Sequence, residues 1–542
     1  MAGESGQGAR ERRQATLGRA GAISAATMSS RVLGLLREQI FARLFGAGLI
    51  SDAFIIAYRI PNLLRDLFAE GALSAAFIPT FSAAREKQGE EEAFLLGRVV
   101  FTVFLAITGG LTLLGMIFAP AIVDAIAPGF STGAEDGSEM GKRALTITLT
   151  RWMMPVLLFV TMAAISRGIL NTYHRYFLPA LSPAIFNLVA IVCGYALWAL
   201  GASPGSAIRV WAAATLAGAA LTFFVQAPPL RRIGFHFRAL FTLRHPGLRR
   251  ILRMMTPATL GLAAVQVNIF VNSILASHLE DGAVSWLNFS FRLVYLPIGV
   301  IGVALATVTA VDVSREAARE NAEGFHDGLA TSLRLVAFFT IPAAAGLIAL
   351  AQPIVSLIYE YGEFDPEDTA ATATALRCYA AALFFYSAVK VLAPSCYALD
   401  RARAPVIASV AAVSVNIAWS LSTYRSLGYA ALAAGTALAA AVNFLLLIGL
   451  LRRGTGGIAG RGLAAIAFKM TLIAAPMGAA CWGLEMGLAQ SLGDADLLPR
   501  LMRVLLPILL GVILVLLGGR VLEVPETDAV KAIILRRGSS RV

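Results

Sequence analysis

The residues of this chain best suited to chemistry are arginines that lie inside long apolar runs. Arg31 and Arg37 stand in the first run, Arg65 follows a proline in the second, and Arg292 lies in the second half of the chain. A guanidinium group binds a phosphate through two parallel hydrogen bonds, so such groups within a membrane point to a phosphate-bearing ligand, here a diphosphate. The sequence therefore predicts an anion-binding cavity lined by these four arginines, with Arg59 as a supporting neighbour.

The two arginines of the first run do not share one face of an ideal helix. Arg31 and Arg37 are six residues apart, which turns a helix by about 600° and advances it by about 9 Å. Gly34 lies between them, and glycine permits irregular backbone. Local unwinding at Gly34 is therefore a candidate way of bringing both guanidinium groups to one cavity.

Internal ion pairing is the alternative use of these charges. A charged side chain at membrane depth costs about 2.5–3.5 kcal/mol unless it is hydrated or paired, so each arginine needs water, a ligand or an acid. Candidate pairs are Arg37 with Asp52 and Arg65 with Glu70. Both uses remain open at this point.

Two further groups of polar residues resemble possible cation sites. The run from Glu360 to Asp368 is acidic, and an enzyme would use such a run to hold a diphosphate through a metal ion. Gly362 and Pro366 mark a turn there, which favours a solvated loop. Uncharged polar residues in apolar runs form the second group, and interhelical hydrogen bonds are their simpler role. Its members are Asn268, Asn272, Asn416, Ser420 and Thr436.

Membrane helices are the elements that must position all these side chains. Of 542 residues, 58% are hydrophobic and only 14% are charged, whereas an average soluble domain is about 25% charged. Several apolar runs reach the roughly 20 residues that cross a bilayer as a helix. The runs are continuous rather than alternating, which excludes an outer-membrane barrel. We predict an all-α polytopic membrane protein.

Hydropathy divides the chain into about fourteen membrane segments. They are 20–46, 51–83, 95–127, 144–172, 178–200, 207–230, 250–278, 285–312, 329–350, 368–399, 404–423, 428–451, 463–487 and 500–522. With the N-terminus inside, most basic residues fall in cytoplasmic segments, including seven arginines between residues 231 and 253. We therefore predict that both termini are cytoplasmic and that the net charge of +12 reflects these loops rather than nucleic-acid binding.

A weak internal repeat organises the helices. The run D-A-F-I-I-A-Y-R ends at Arg59, and S-W-L-N-F-S-F-R ends at Arg292, about 233 residues later. An offset of six helices means parallel repeats related by a pseudo-two-fold axis along the membrane normal. We predict two six-helix lobes and two additional C-terminal helices. The predicted boundaries are a cytoplasmic tail at 1–19, an N-lobe at 20–231, a basic cytoplasmic linker at 232–249, a C-lobe at 250–451, the additional helices at 463–522 and a cytoplasmic tail at 523–542.

Residues 30–86 resemble one known family specifically. The runs are S-R-V-L-G-L-L-R-E, F-G-A-G-L-I-S-D-A-F and I-P-N-L-L-R-D-L-F-A-E-G-A-L-S-A-A-F-I-P. They look like the signature of the MurJ family, also called MviN. The later runs L-P-I-G-V-I-G-V-A-L-A-T-V and Y-G-E-F-D-P-E-D-T are similar to that family too, and the likeness extends over about 500 residues.

The resemblance implies a lipid II flippase of the MOP exporter superfamily in the bacterial cytoplasmic (inner) membrane. Such a protein moves the undecaprenyl-pyrophosphate-linked disaccharide pentapeptide outward for peptidoglycan synthesis by alternating access. The family's cavity arginines fall on Arg31, Arg37, Arg65 and Arg292, and its acid near the outer gate falls on Asp52, with Glu70 as a second gating or coupling acid. The helices in 463–522 would form the groove for the lipid tail.

The resemblance has two departures. Phe291 stands where members often carry a polar or acidic residue before the second-lobe arginine. Some members hold sodium in the second lobe through aspartates, but the matching positions here appear among Asn272, Asn416, Ser420 and Thr436. Without a carboxylate, no sodium site and no other metal or cofactor is predicted. Because several arginines share the cavity with few acids, the membrane potential is the expected energy source.

Two rival functions remain. One is another MOP-type flippase for a different undecaprenyl-pyrophosphate-linked oligosaccharide, which would lack the opening signature. The other is an enzyme, a polyprenyl-phosphate glycosyltransferase, which would need an acidic site beside the diphosphate. We expect a transporter that acts as a monomer among membrane lipids, with lipid II as its ligand and cell-wall synthesis proteins as candidate partners.

Overall fold

The computed structural model describes residues 28–66, 72–131, 141–455, 460–493 and 496–527, and most of these residues are helical, with no β-strand among them. The chain divides into two compact units, residues 1–266 and 267–542. The all-helical class predicted from hydropathy is confirmed.

The first unit contains ten helices and the beginning of an eleventh within its described residues. They are α1 (28–45), α2 (Leu49–Arg65), α3 (Ala72–Gln88), α4 (Glu90–Ile117), α5 (Ala119–Ile126), α6 (Lys142–Met153), α7 (Val156–Thr172), α8 (Phe177–Ala199), α9 (Pro204–Phe224), α10 (Ala227–Arg232) and α11 (Pro246–Ser277). A 3₁₀ turn at Pro128–Ser131 follows α5.

The second unit contains the end of α11 and nine further helices within its described residues. They are α12 (Ala283–Pro297), α13 (Val303–Ala318), α14 (Ala322–Ala349), α15 (Ala351–Tyr359), α16 (Pro366–Ala380), α17 (Leu383–Ala398), α18 (Arg403–Thr455), α19 (Gly460–Leu492) and α20 (Leu497–Val521). A π-helical turn, Ile298–Gly302, joins α12 to α13. Gly428 interrupts α18 with a φ of 58°, so its two halves match the separate predicted segments 404–423 and 428–451.

Nine helical stretches in the described part of the chain are long and apolar enough to cross a membrane, or ten if the bent pair α16–α17 is one span. Within the described residues, each predicted segment coincides with a helix or a pair of helices. The predicted count of about fourteen spans is not confirmed by these lengths. Part of the reason is that α2, with 17 residues, is short for a span.

The same order of long and short helices occurs in both units. A 28-residue helix is followed by a short one in each: α4 and α5 in the first unit, α14 and α15 in the second. The broken pairs α6–α7 and α16–α17 come next in each unit. This order supports the internal repeat read from the sequence, although α15 lies between the predicted segments 329–350 and 368–399.

The boundary between the compact units lies inside α11, whereas the sequence placed a linker at 232–249. Leu248, Ile251 and Met255 of α11 are buried in the same core as Phe235 and residues of α3, α4 and α7. Apolar residues in the loop and in the first part of α11 therefore pack onto the first unit. The 232–249 segment is part of that unit's surface rather than a free connection.

Hydroxyl side chains within the helices donate mainly to their own backbone. Thr108 Oγ1 donates to Phe104 O at 2.7 Å, and Thr150 Oγ1 donates to Thr146 O at 2.7 Å. Such bonds satisfy a polar group where lipid offers no partner. At the α1–α2 corner, Ser51 Oγ donates to Gly46 O at 2.8 Å, and Gly46 has a φ of +62°. The corner fixes the directions in which the two arginine-bearing helices leave it.

Close packing of α8 against α9 depends on a glycine. A Cβ at Gly218 would lie 3.2 Å from the carbonyl oxygen of Phe186, which is backbone and cannot rotate away. We expect Gly218→Val to lower the thermal midpoint of the purified protein by several degrees, since overpacking costs about 1–3 kcal/mol. Gly110→Val is the matched control, because a Cβ at Gly110 meets nothing within 4 Å. Equal midpoints for the two variants would contradict the packing shown here.

Candidate functional site

Arg37 is held by a neighbouring acid and by an aromatic ring. Its guanidinium group forms an ion pair with Glu38, the next residue in the chain, and its Cζ atom lies 5.5 Å from the ring centre of Phe186 on α8. A hydrogen bond also joins α1 to α8, in which Asn187 Nδ2 donates to Ser30 O at 3.1 Å. Only 15% of the Arg37 side chain is exposed, so its position is largely determined by the fold.

Arg31 lies on the same helix but in a different setting. It is exposed, and α1 continues without interruption through Gly34. The expected unwinding at Gly34 is therefore wrong. Instead the glycine permits a close approach, since a Cβ there would lie 3.5 Å from Asn187 Nδ2. Arg31 and Arg37 thus keep the different directions that regular helix geometry gives them.

Arg65 closes the last turn of α2 beside another neighbouring acid. Its Nε and Nη2 atoms donate to Asp66 Oδ1 at 3.2 and 2.9 Å. The other Asp66 oxygen accepts from Gln266 Nε2 at 3.5 Å, which links this end of α2 to α11. Pro61 lies inside α2 without ending it. Arg59 is partly buried on the same helix, which agrees with its predicted supporting place but does not test its role.

Asp52 lies at the other end of α2 and is paired with a lysine. Lys142 Nζ lies 2.8 Å from Asp52 Oδ2, and the exposed fractions of the two side chains are 11% and 1%. The ammonium group also lies 4.2 Å from the ring centre of Phe130 in the 3₁₀ turn. The pair joins the first turn of α2 to the first turn of α6. A buried acid and a buried base thus compensate each other inside the first unit.

The candidate pair of Arg37 with Asp52 is not formed. Arg37 forms its ion pair with Glu38 rather than Asp52, and Arg65 with Asp66. Both partners are the next residue along the chain, so the pairs need no second helix. Glu70, the predicted partner of Arg65 and second gating acid, lies outside the described residues.

Arg292 occupies an exposed position on α12 in the second unit. Its Nε atom donates to Asn288 Oδ1 one turn earlier at 3.4 Å. Phe291, the departure noted above, packs edge-on against Tyr379 at 5.3 Å and Tyr386 at 6.1 Å between ring centres. An aromatic residue before the arginine therefore docks α12 onto α16 and α17 instead of supplying a charge.

The polar group of the second unit forms a hydrogen-bonded network. Asn416 Nδ2 donates to Asn268 Oδ1 at 2.5 Å and to Asn272 Oδ1 at 3.0 Å, and Asn272 Nδ2 donates to Thr436 Oγ1 at 3.1 Å. Asn416 Oδ1 accepts from Ser420 Oγ at 3.4 Å. The interhelical hydrogen bonds predicted for these residues are present.

The residues of this network do not fit a sodium ion. The amide nitrogen of Asn416 points at the two asparagine oxygens that a cation would need, and every side chain of the network is neutral. An amide oxygen that accepts an N–H has one of its two lone pairs occupied, which makes these oxygens poorer ligands for a cation. No step of transport is therefore assigned to a cation here.

The acidic run 360–368 is used for structure. Arg500 Nη2 on α20 lies 3.4 Å from Glu360 Oε1, and Asp365 Oδ1 accepts from the backbone N–H of Asp368 at 2.8 Å as the N-cap of α16. Asp368 Oδ1 accepts from Trp286 Nε1 at 2.8 Å and is buried. Only part of the run is a solvated loop, as Glu363 and Glu367 are exposed. Across the described residues, no group of three His, Cys, Asp or Glu side chains could hold a metal ion.

One end of the first unit carries a second charged cluster. Arg85 Nη1 donates to Thr172 O at 2.9 Å, at the end of α7, and its guanidinium group lies over the ring of Tyr173 at 3.9 Å. Tyr173 Oη donates to Glu90 at 3.3 Å. Burial, followed by the charge of Glu90, raises the pKa of Tyr173 to about 12. The cluster fastens α3 and α4 to α7.

Sequence reasoning missed Lys142 and Phe186. Lys142 was not among the predicted site residues, although Asp52 begins one helix where Lys142 begins another at the same predicted membrane surface. A comparison of the charged residues predicted at the same depth in the membrane would have suggested the pair of Asp52 with Lys142. No sequence feature predicted the contact of Phe186 with Arg37, because nothing distinguishes Phe186 from the many other phenylalanines in apolar helices.

The fold is that of a multi-helix membrane transporter. A solved inward-facing multidrug resistance MATE family transporter of the MOP superfamily matches 80% of this chain and 98% of its own, with a TM-score of 0.65 and 17% identity. That likeness shows the fold alone. A solved structure described as lipid II flippase MurJ, inward closed conformation, has a TM-score of 0.75 and 28% identity over 92% of this chain and 99% of its own.

The family model for lipid II flippase MurJ matches residues 41–502. The lipid II flippase MurJ of Burkholderia cenocepacia is 35% identical over 442 residues, which are 80% of this chain and 83% of that protein. The probable lipid II flippase MurJ of Vibrio cholerae is 34% identical over 429 residues, 78% of this chain and 81% of its own length. The chain belongs to the MurJ family, which confirms the resemblance found in residues 30–86 and makes it a multi-pass membrane transporter rather than an enzyme.

The Asp52–Lys142 pair generates a stability prediction. Lys142→Met leaves a buried carboxylate without its lysine, and breaking a buried pair costs about 3–5 kcal/mol, so we expect a clear fall in thermal midpoint. Arg143→Met is the matched control, because Arg143 pairs with Asp124 at 2.6 Å at an exposed position. Removing both buried charges in Asp52→Asn/Lys142→Met should recover most of the midpoint. A double variant as unstable as the single one would refute the compensation.

Proposed function

We propose that this chain moves lipid II from the inner to the outer leaflet of the bacterial cytoplasmic membrane by alternating access. The observation that carries this proposal is the family match over residues 41–502, together with relatives named as lipid II flippases at 34–35% identity. A flippase for another undecaprenyl-pyrophosphate-linked oligosaccharide is not favoured by those names. We further propose that both termini are cytoplasmic and that the chain acts as a monomer near the cell-wall synthesis proteins.

Arg31, Arg37, Arg65 and Arg292 are the proposed ligands of the lipid II pyrophosphate. Two of them carry a neighbouring carboxylate, Glu38 or Asp66. A pyrophosphate brings more charge than one carboxylate and accepts bidentate hydrogen bonds, so it can take the place of these partners. The neighbouring acids then keep the arginines oriented between cycles, which lowers the cost of ordering them when substrate binds.

Asp52, and Glu70 beyond the described residues, are the proposed gating or coupling acids. The supporting observation is the pair of Asp52 with Lys142, which ties α2 to α6 at one end of the first unit. Release of this pair is a change that opening of that end would require. Arg59 is proposed to support Arg65 from the same helix.

The membrane potential is the proposed energy source, with no cofactor. A positive charge crossing the full field gains about 2.3 kcal/mol per 100 mV, so a cationic empty carrier is driven inward under an inside-negative potential. Pyrophosphate neutralises that charge and removes the bias. The asparagine network of the second unit supports independence from sodium, because its own amides use the oxygens a cation would need.

Conservative substitution tests the arginines. In a strain depleted of its own lipid II flippase and rescued by this gene, we expect Arg→Lys at 31, 37, 65 or 292 to lower lipid II flipping roughly tenfold or more, because a lost bond to a charged group is worth about 1.5–3 kcal/mol. Arg43→Lys is the control, since Arg43 lies over the ring of Trp198 at 4.6 Å, a contact that a lysine can keep. If Arg→Lys has equally little effect on the measured lipid II orientation at all five positions, the arginines provide only a positive lining and are not bidentate ligands.

The energy source has its own test. Valinomycin with external potassium should stop flipping by collapsing the potential, whereas nigericin, which removes the pH gradient, and replacement of sodium by choline should leave it unchanged. Protein amount in the membrane is the control. Flipping that persists without a potential, or stops without sodium, would overturn this part of the proposal while leaving the substrate assignment intact.

A further inference from the structure

The segment between α10 and α11, which we call the 233–245 loop, follows an unusual path. It is not helical, and it runs along α4 and then returns. Phe235 contacts Phe94 with ring centres 5.7 Å apart, and Phe237 contacts Phe101 at 4.8 Å. Seven residues of helix separate those two contacts on α4, so the loop advances by about 10 Å along it.

The loop then turns back toward the start of α4. Its backbone N–H at Leu240 donates to Thr102 Oγ1 at 2.9 Å, while His245 Nε2 lies 3.2 Å from Glu92 Oε1. Thr102 and Glu92 are ten residues apart, or about 15 Å along α4. The tip of the loop, residues 240–243, is therefore its most advanced part.

The tip lies beside the point where α4 becomes apolar. Arg98 is the last charged residue of α4, and the next charge in the chain is Asp124. The hydrocarbon region of this helix therefore begins close to Arg98 and includes Thr102. A loop that reaches Thr102 reaches about one helical turn into that region.

The apolar side chains of the loop are left outside the protein core. Phe241 is 63% exposed and Leu243 is 53% exposed, and Phe237 and Leu240 are exposed as well. Phe235 is buried by contrast, so its side chain packs into the core of the first unit. Four exposed large apolar residues in one short loop need an apolar environment.

Side chains from neighbouring helices satisfy part of the loop backbone. Arg98 Nε donates to His236 O at 3.0 Å, and Arg249 Nε donates to Leu243 O at 3.3 Å. Together with the bond from the Leu240 N–H to Thr102, these hydrogen bonds satisfy backbone groups along the length of the loop. An irregular segment is tolerated at the edge of a bilayer only when its polar backbone groups find such partners.

Exposed arginines surround the apolar tip. Arg238 and Arg244 lie within the loop, Arg231 and Arg232 precede it, and Arg249, Arg250 and Arg253 follow it. The chain contains no Asp or Glu between Glu139 and Glu280, so within this stretch no acid offsets them. The acids that come close are those at the start of α4, where Glu92 is already bound to His245.

We propose that the 233–245 loop is a membrane anchor that inserts its apolar tip at the edge of the hydrocarbon region and binds anionic phospholipid headgroups through the surrounding arginines. Apolar insertion and electrostatic attraction act together at an anionic interface, and each alone gives weak attachment. Given the predicted orientation, the leaflet is the cytoplasmic one. The proposal does not depend on which lipid-linked substrate the protein moves.

Depth measurement tests the insertion. In a cysteine-free background, nitroxide labels at Phe241→Cys and, as an aqueous control, at Ala318→Cys at the exposed end of α13 are compared in nanodiscs. We expect the label at 241 to collide mainly with oxygen and the label at 318 mainly with a water-soluble nickel chelate. The anchor would be overturned if the label at 241 were as accessible to the nickel chelate as the control label. It would also be overturned if protection of the label appeared only as the protein concentration rises.

Lipid composition tests the charge. The thermal midpoint in phosphatidylglycerol nanodiscs should exceed that in phosphatidylcholine nanodiscs, and Arg238→Gln/Arg244→Gln should reduce this difference at least twofold. Arg209→Gln/Arg425→Gln, which removes two exposed arginines far from the loop in sequence, should preserve it. High salt should weaken the effect in the wild-type protein. A difference unaffected by the loop substitutions would overturn the assignment to anionic lipid.

Discussion

The cost of carrying charge within apolar helices governs the organisation of this protein. An ionised side chain in hydrocarbon is expensive enough that each one must have a partner, water or a ligand at the same depth. The partners are of two kinds. Arg37 and Arg65 use the acid that follows them in the chain, whereas Asp52 uses Lys142 from a different helix. The first kind needs no second helix, and the second fastens two helices together.

Sequence alone predicted the elements better than the contacts between them. Hydropathy is a local property, so the positions of the apolar helices could be read directly, and the repeat predicted that α12 would resemble α2. The short helix α15 was missed because its nine residues are too few to cross a bilayer, and the segments were chosen by the length of their apolar runs. The partner of Asp52 was missed because pairing across helices depends on depth, which a linear sequence shows only indirectly.

The candidate site was likewise predicted in part. The choice of the arginines followed from their type and their place in apolar runs, and their role as pyrophosphate ligands stays a prediction. Their surroundings did not follow. The regular path of α1 through Gly34 and the packing of Phe291 against Tyr379 result from close contacts with α8 and α16. The asparagine network shows the opposite case, in which polar residues without charge were correctly expected to bond with one another.

The pairing of arginines with the next residue has a consequence for how the chain is made. Arg37 and Glu38, like Arg65 and Asp66, emerge from the ribosome together, so each charge can be compensated before any other helix exists. Neither residue next to Asp52 in the sequence is basic, and Lys142 is 90 residues away. The pair of Asp52 with Lys142 can therefore form only after α6 has been synthesised. The first unit thus contains ion pairs that can form early, within one helix, and a pair between α2 and α6 that forms later.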